Sequence, residues 1–167
     1  MTDYDALDLK AKPGAFSTYD QEVLVPEVEK LKPGQIYLEV GVDKGKSLSI
    51  ARMVAEDGVE IYGVDLRPNP EVINTTHYQG DSKQVADLWQ NGKIDVLFID
   101  GDHTYEGCKA DIDSWYPHMA KDGVMLFHDC DATSPGVVQA VHEFAEKLGV
   151  ELFESPNQRC SMARIRL

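Results

Sequence analysis

Two short stretches of the 167-residue chain crowd together side chains that can move protons or bind cations. FIDGDHTYEG carries Asp100, Asp102 and His103, and FHDCD carries His128, Asp129, Cys130 and Asp131. A histidine titrating near neutrality can take a proton from a hydroxyl. Two carboxylates held close together repel, and a divalent cation between them relieves that repulsion while acidifying a bound hydroxyl. Turns are polar in any protein and Asp often does no more than cap a helix. That plain reading stays open for Asp81, Ser82 and Asp131, but accounts poorly for Asp100, His103, His128 and Asp129 taken together. A third feature is the loop E-x-G-x-x-x-G, with Glu39, Gly41 and Gly45. In a dinucleotide fingerprint, glycines bring backbone N–H groups up to a pyrophosphate. Here Asp43 holds the middle glycine position, and a carboxylate would repel a phosphate. The loop suits a ligand with no phosphate there, such as an adenosyl group carrying an amino acid. Asp65, closing the next apolar run, is placed to accept hydrogen bonds from ribose hydroxyls.

These residues need elements to bring them together, and the hydropathy pattern supplies them. Apolar runs at 36–40, 59–65, 76–81, 94–100 and 124–129 predict five strands. Helices are predicted between them: 47–56, a segment capped by Ser82 with Val85, Leu88 and Trp89, and a helix carrying Tyr105, Cys108, Ile112, Trp115 and Met119. A further helix opens at Ser134-Pro135 and closes at Gly149. Strands at 150–155 and 160–167 are joined by PNQR, too short for a crossover helix, so they pair antiparallel. The fold class is therefore α/β: a Rossmann-like, doubly wound seven-stranded sheet, mostly parallel, with a C-terminal antiparallel hairpin. Ligands bind such sheets beyond the carboxyl ends of the strands, where every residue singled out above falls. Residues 1–34 read as an N-terminal arm and helix, and 35–167 as the main domain. In the first part, Thr18 and Gln21 have capping-box spacing, Pro13-Gly14 breaks a loose arm, and Pro26 predicts a kink or two short helices. Trp89, Trp115 and Cys108 are expected in the core. Glu106, Asp111 and Asp113 are expected on the wet face of their helix.

Composition excludes several classes. With 16 Lys and Arg against 29 Asp and Glu, the net charge of −13 argues against binding nucleic acid. At 43% apolar residues the chain is not an acidic disordered tail, and no window approaches the roughly 18 apolar residues of a membrane span. No signal peptide opens it. Three scattered cysteines form neither a disulfide framework nor a C-x-x-C motif, so a cytoplasmic setting is expected.

The stretches YLEVGVDKGKSLSIA, IYGVD, QGDS and IDVLFIDGDHTYEGCKADIDSWYPHMAKDGVMLFHDCD resemble a class I S-adenosylmethionine-dependent methyltransferase. The resemblance runs over about residues 35–148. It is closest to a small group related to the macrocin-type sugar O-methyltransferases and, more distantly, to the catechol O-methyltransferases. It implies that S-adenosylmethionine is the cofactor. Glu39, Gly41 and Gly45 would lie by its methionine part, Asp65 on the ribose, and Asp81 with Ser82 by the adenine. It also implies His103 as general base and a divalent metal held by Asp100 and the positions of His128 and Asp129. Where relatives carry a second acid this chain has His128, and where the catechol type carries an amide it has Cys130. Mg²⁺ prefers oxygen and imidazole suits Zn, Fe, Ni or Cu, so the ion is open, and His128 is alternatively a second acid–base group. The expected partner is a small hydroxylated acceptor, sugar or catechol-like, with no nucleic acid or membrane. With short loops the acceptor pocket would be open or completed in a homodimer. Two rival readings are an NAD-linked oxidoreductase and a non-catalytic cofactor-binding relative.

Overall fold

A computed structural model describes residues 16–68, 71–157 and 159–167. The expected loose arm, Pro13-Gly14 included, lies outside the described residues; Phe16, at its end, is buried. A first helix, α1 (Thr18–Val28), precedes alternating strands and helices: β1 (Ile36–Val40), α2 (Lys46–Val54), β2 (Glu60–Asp65), β3 (Thr76–Gln79), α3 (Ser82–Asp87), β4 (Ile94–Ile99) and α4 (Tyr105–Trp115). A 3₁₀ turn at Tyr116–His118 leads into β5 (Met119–Phe127), then α5 (Pro135–Leu148), β6 (Leu152–Glu154) and β7 (Ala163–Arg166). The strands form one seven-stranded sheet in the order β3-β2-β1-β4-β5-β7-β6. β1 to β5 run parallel to one another. β7 lies antiparallel between β5 and β6. This is the doubly wound sheet with a terminal antiparallel hairpin that the pattern predicts.

Both faces are covered, which is why β1 is apolar almost throughout and wholly buried. Ile36, Leu38 and Val40 pack in one cluster with Ile112, Trp115 and Val141 of α4 and α5. Tyr37, between them, faces the other cluster with Leu24 and Val28 of α1 and Leu48 of α2. The period of two along the strand thus sorts its residues between two cores.

Local details differ from expectation. Ser17, not Thr18, caps α1: its hydroxyl accepts the Asp20 N–H and the Asp20 carboxylate accepts the Ser17 N–H. The helix runs through Pro26 as one element, tied on by tertiary contacts. Asp81 caps α3 in place of Ser82, accepting the Gln84 N–H. That helix ends early, leaving Leu88 on the surface while Trp89 packs edge-on against Trp115. Asp111 is buried, contrary to the expected wet face, because it sits at helical spacing from Cys108 and Trp115. Among the described residues no helix is long and apolar enough to cross a membrane.

Candidate active site

Parallel strands deliver their carboxyl ends to one sheet edge, where a cavity of about 480 Å³ opens. The turn after β1 forms its floor. The Gly41 N–H donates to the Val64 carbonyl, and the Asp100 N–H to the Val40 carbonyl, which brings the three strand ends together. Gly41 has φ +87°, and a Cβ there would lie 2.1 Å from the Asp100 carbonyl oxygen, so no larger residue fits. Asp43, also at positive φ, donates its N–H to Asp65 Oδ2 at 2.8 Å. Asp65 Oδ1 accepts the Arg67 N–H at 2.8 Å. Two backbone donors therefore hold the Asp65 carboxylate in place, with Arg67 Nε 3.8 Å from Oδ1. Asp81, Ser82 and Asp111 also line the cavity. Trp115 Nε1 donates to Ser82 Oγ at 2.8 Å. Burial pushes the Asp111 carboxyl up to about 6, against the pull of the Ser82 hydroxyl.

Beside the cavity stands a second group of side chains. His103, just before α4, is half-exposed, with Nε2 3.2 Å from Asp129 Oδ2 and 3.8 Å from Asp100 Oδ1. Those carboxylates, Asp100 foremost, raise its pKa against the effect of burial. His128, which follows β5, is buried, and its Nδ1 lies 3.1 Å from both Asp100 Oδ1 and Asp129 Oδ2. Its Nε2 faces Asp20 Oδ2 of α1 at 3.4 Å, an ion-pair distance without hydrogen-bond alignment. Burial alone would strip the His128 proton, but three carboxylates outweigh it and hold the imidazole charged well above its ordinary range. Asp129 stands at φ +52°, a conformation Asp tolerates better than most residues. Ser161, just before β7, anchors this turn: its hydroxyl accepts the Asp129 N–H and its carbonyl the Cys130 N–H.

The residues singled out in the sequence fall into three places. Gly41, Asp65, Asp81, Ser82 and Asp100 line the cavity. His103, His128 and Asp129 form the neighbouring group, and Asp100 belongs to both. Glu39 and Gly45 are not among the residues that line the cavity. Glu39 is fully buried, accepting from Tyr37 Oη at 2.8 Å and Ser47 Oγ at 2.6 Å. Gly45 caps α2 in the left-handed conformation. The ligand atoms that converge for a cation are those of Asp100, His103 and Asp129, all within 4.8 Å of one another. His128 is not one of these three; its Nδ1 faces Asp100 and Asp129 from the buried side. Sequence reasoning missed Asp20 and Asp111. The period of α4 could have flagged Asp111; nothing local links Asp20 to His128.

A family model described as a methyltransferase domain matches residues 38–130, and the chain belongs to that family. Protein R132 of Acanthamoeba polyphaga mimivirus is 31% identical over 128 residues, covering 64% of this chain and 58% of that protein. Protein y4gI of Sinorhizobium fredii is 29% identical over 80 residues, 47% of this chain and 9% of that protein. The chain thus spans less than two thirds of either relative. Among solved structures, cofactor-bound Rv0187 from MTB superposes with a TM-score of 0.76 at 15% identity, covering 95% of this chain and 85% of that one. The O-methyltransferase NovP gives 0.74 at 17%, covering 92% and 82%. The MycE methyltransferase of the mycinamycin pathway, solved with Mg and SAH, gives 0.64 at 16%, covering 93% and 51%. These likenesses show a shared Rossmann-like methyltransferase fold.

Proposed function

We propose that the cavity binds S-adenosylmethionine and that the protein methylates a hydroxyl oxygen of a small acceptor, sugar or catechol-like, with His103 as general base. One observation carries this reading. A half-exposed imidazole nitrogen lies 3.2 Å from one carboxylate and 3.8 Å from another, and the second, Asp100, also lines the cavity. Such a base stands between solvent, where an acceptor arrives, and the cofactor space. Asp43 in the first loop and Asp65 fixed by two backbone donors suit an adenosyl group without phosphate. When bound, the cofactor supplies a methyl already activated on a sulfonium, so the chain has only to align the oxygen and accept its proton. His103 Nε2 takes that proton, with Asp129 and Asp100 orienting the ring and stabilising the imidazolium.

A second reading is favoured by the convergence of Asp100, His103 and Asp129. Two carboxylates and an imidazole fit a divalent cation, and those three would hold it. A bound cation would supply Lewis-acid activation of the acceptor hydroxyl. The MycE structure, with its Mg, lends that reading support.

Methyl transfer to a panel of hydroxyl compounds, with and without exhaustive chelation, separates the two. On the first reading activity survives chelation, and His103→Ala loses roughly 10²–10⁴-fold in turnover with S-adenosylhomocysteine affinity retained. Loss of activity on chelation, restored by one added metal, makes the triad a metal site. Failure of the intact protein to bind S-adenosylhomocysteine overturns both.

A further inference from the structure

Asp20 has more partners than a helix cap requires. As the acidic member of the α1 capping box it needs only the Ser17 N–H, which its Oδ2 accepts at 2.7 Å. Yet its carboxylate, 2% exposed, makes two further contacts, and both lead to the turn that carries Asp129. Oδ2 also faces His128 Nε2 at 3.4 Å, and Nδ1 of that ring lies 3.1 Å from Asp100 Oδ1 and from Asp129 Oδ2. Oδ1 accepts the Ser161 N–H at 3.2 Å, and the Ser161 hydroxyl in turn accepts the Asp129 N–H at 3.3 Å. One buried carboxylate thus reaches the Asp129 turn by two routes, through an imidazole and through the segment before β7. The imidazole has little freedom of its own. Phe16 and Phe98 pack against it at centroid distances of 5.7 and 6.2 Å, and each of its nitrogens has a carboxylate oxygen opposite, so a flipped ring would present carbon at both ends. The two oxygens that Nδ1 faces are the same two that stand 3.8 and 3.2 Å from His103 Nε2. His128 meets this pair of carboxylates from the buried side, and the half-exposed His103 meets it from the open one.

We propose that Asp20 is a positioning residue for the proton-accepting group: acting through His128 and Ser161, it sets where Asp100 and Asp129 stand and so where they hold His103. The inference deepens the assignment of His103 as general base and rests on that reading for what the positioning serves. The two oxygens of Asp20 each accept a backbone N–H, from Ser17 and from Ser161. An amide has a single acceptor oxygen, so Asp20→Asn keeps the shape but turns an N–H toward one of those donors. Either the cap or the tie to the Asp129 turn then gives way, and the carboxylate facing His128 is gone in both cases. Misplacement of a reacting group by about 1 Å is enough to lower turnover about a hundredfold.

The test compares the intact protein as wild type, Asp20→Asn and Ser17→Ala. Ser17→Ala removes the hydroxyl half of the capping box and leaves both links from Asp20 to the Asp129 turn. The ring signals of His103 in carbon–proton correlation spectra, identified by their loss in His103→Gln, report the surroundings of that imidazole without an acceptor. Asp20→Asn should shift them and Ser17→Ala should not, even where both variants lower the Tm alike. With an acceptor from the hydroxyl panel, turnover of Asp20→Asn should fall roughly ten- to a hundredfold while KM for S-adenosylmethionine is retained. Should the amide variant fail to fold, Asp20→Glu takes its place with the same expectation, since Glu suits a capping box but carries its carboxylate one carbon further. His103 signals that stay put when Asp20 is changed, or that Ser17→Ala moves as far, overturn the proposal and leave Asp20 a helix cap. Full activity of His103→Ala overturns the base assignment instead, while the ring signals still decide whether Asp20 places His103.

Discussion

Glu39 and Asp65 show how burial and donors set what a carboxylate can do. Burial drives the fully enclosed Glu39 carboxyl up to about 8, against the pull of the Ser47 and Tyr37 hydroxyls. Its ordinary value is 4.5. Between those values the folded protein holds a proton that the unfolded chain has released. Stability contributed by this group is present below pH 4.5 and declines as pH rises toward 8, on the order of a few kcal/mol in all. Denaturant unfolding across that window should show a shallower decline for Glu39→Gln than for wild type; parallel curves would mean that Glu39 ionises normally. Asp65 behaves differently, because two backbone N–H groups fix it at the cavity wall. Asp65→Ala should weaken S-adenosylhomocysteine binding by about 1.5–3 kcal/mol, the scale of hydrogen bonds to a charge. Calorimetry giving unchanged affinity would remove Asp65 from the ribose site.

At the scale of elements, the sheet edge depends on one close approach. The turn after β1 passes so near the end of β4 that a methyl at residue 41 would strike the Asp100 carbonyl. Gly41→Ala should cost at least about 2 kcal/mol, combining a forbidden φ with a backbone clash. It should also displace Asp100 and so lower ligand affinity. Thermal unfolding close to wild type, with affinity retained, would show that the edge can yield. The helix α1 is bound to the hairpin in an equally specific way. Glu27, 2% exposed, meets Arg164 and Arg166 of β7, and the Ser161 N–H reaches Asp20 at 3.2 Å. The arginine heads are partly exposed, so these pairs fix the placement of α1 more than they add stability. That placement brings Asp20 against His128.

For the whole molecule, the proposed cofactor site is a cavity, and the side that carries His103 is open, with that residue at 52% exposure. An acceptor held there would have few walls, which is consistent with the homodimer expected from the short loops. Light scattering of the active protein should give twice the chain mass, with dilution lowering activity as dimers separate. A monomer with full activity at all concentrations would mean that the acceptor is held by this chain alone.

Much of this was legible in the chain itself. The strands were readable because apolar runs bounded by turn residues specify period and length locally. The PNQR link, too short for a crossover, required an antiparallel hairpin. Strand-end position alone gathered Asp65, Asp81, Asp100, His103 and Asp129 to one edge, since parallel strands share a direction. The caps of α1 and α3 were misplaced by one residue, because Ser17 against Thr18 and Asp81 against Ser82 are choices between neighbours of equal capping ability. Three matters were decided only by the tertiary structure. Asp20 meets His128 because α1 is docked on the hairpin, a contact between residues far apart in the chain. His128 meets three carboxylates in a buried place because α1 and the end of β4 bring Asp20 and Asp100 to it beside its chain neighbour Asp129, and no residue type carries that information alone. Asp111 turns inward because Ser82 and Gly101 leave room for it, and steric room is a property of packed neighbours, which a sequence pattern does not contain.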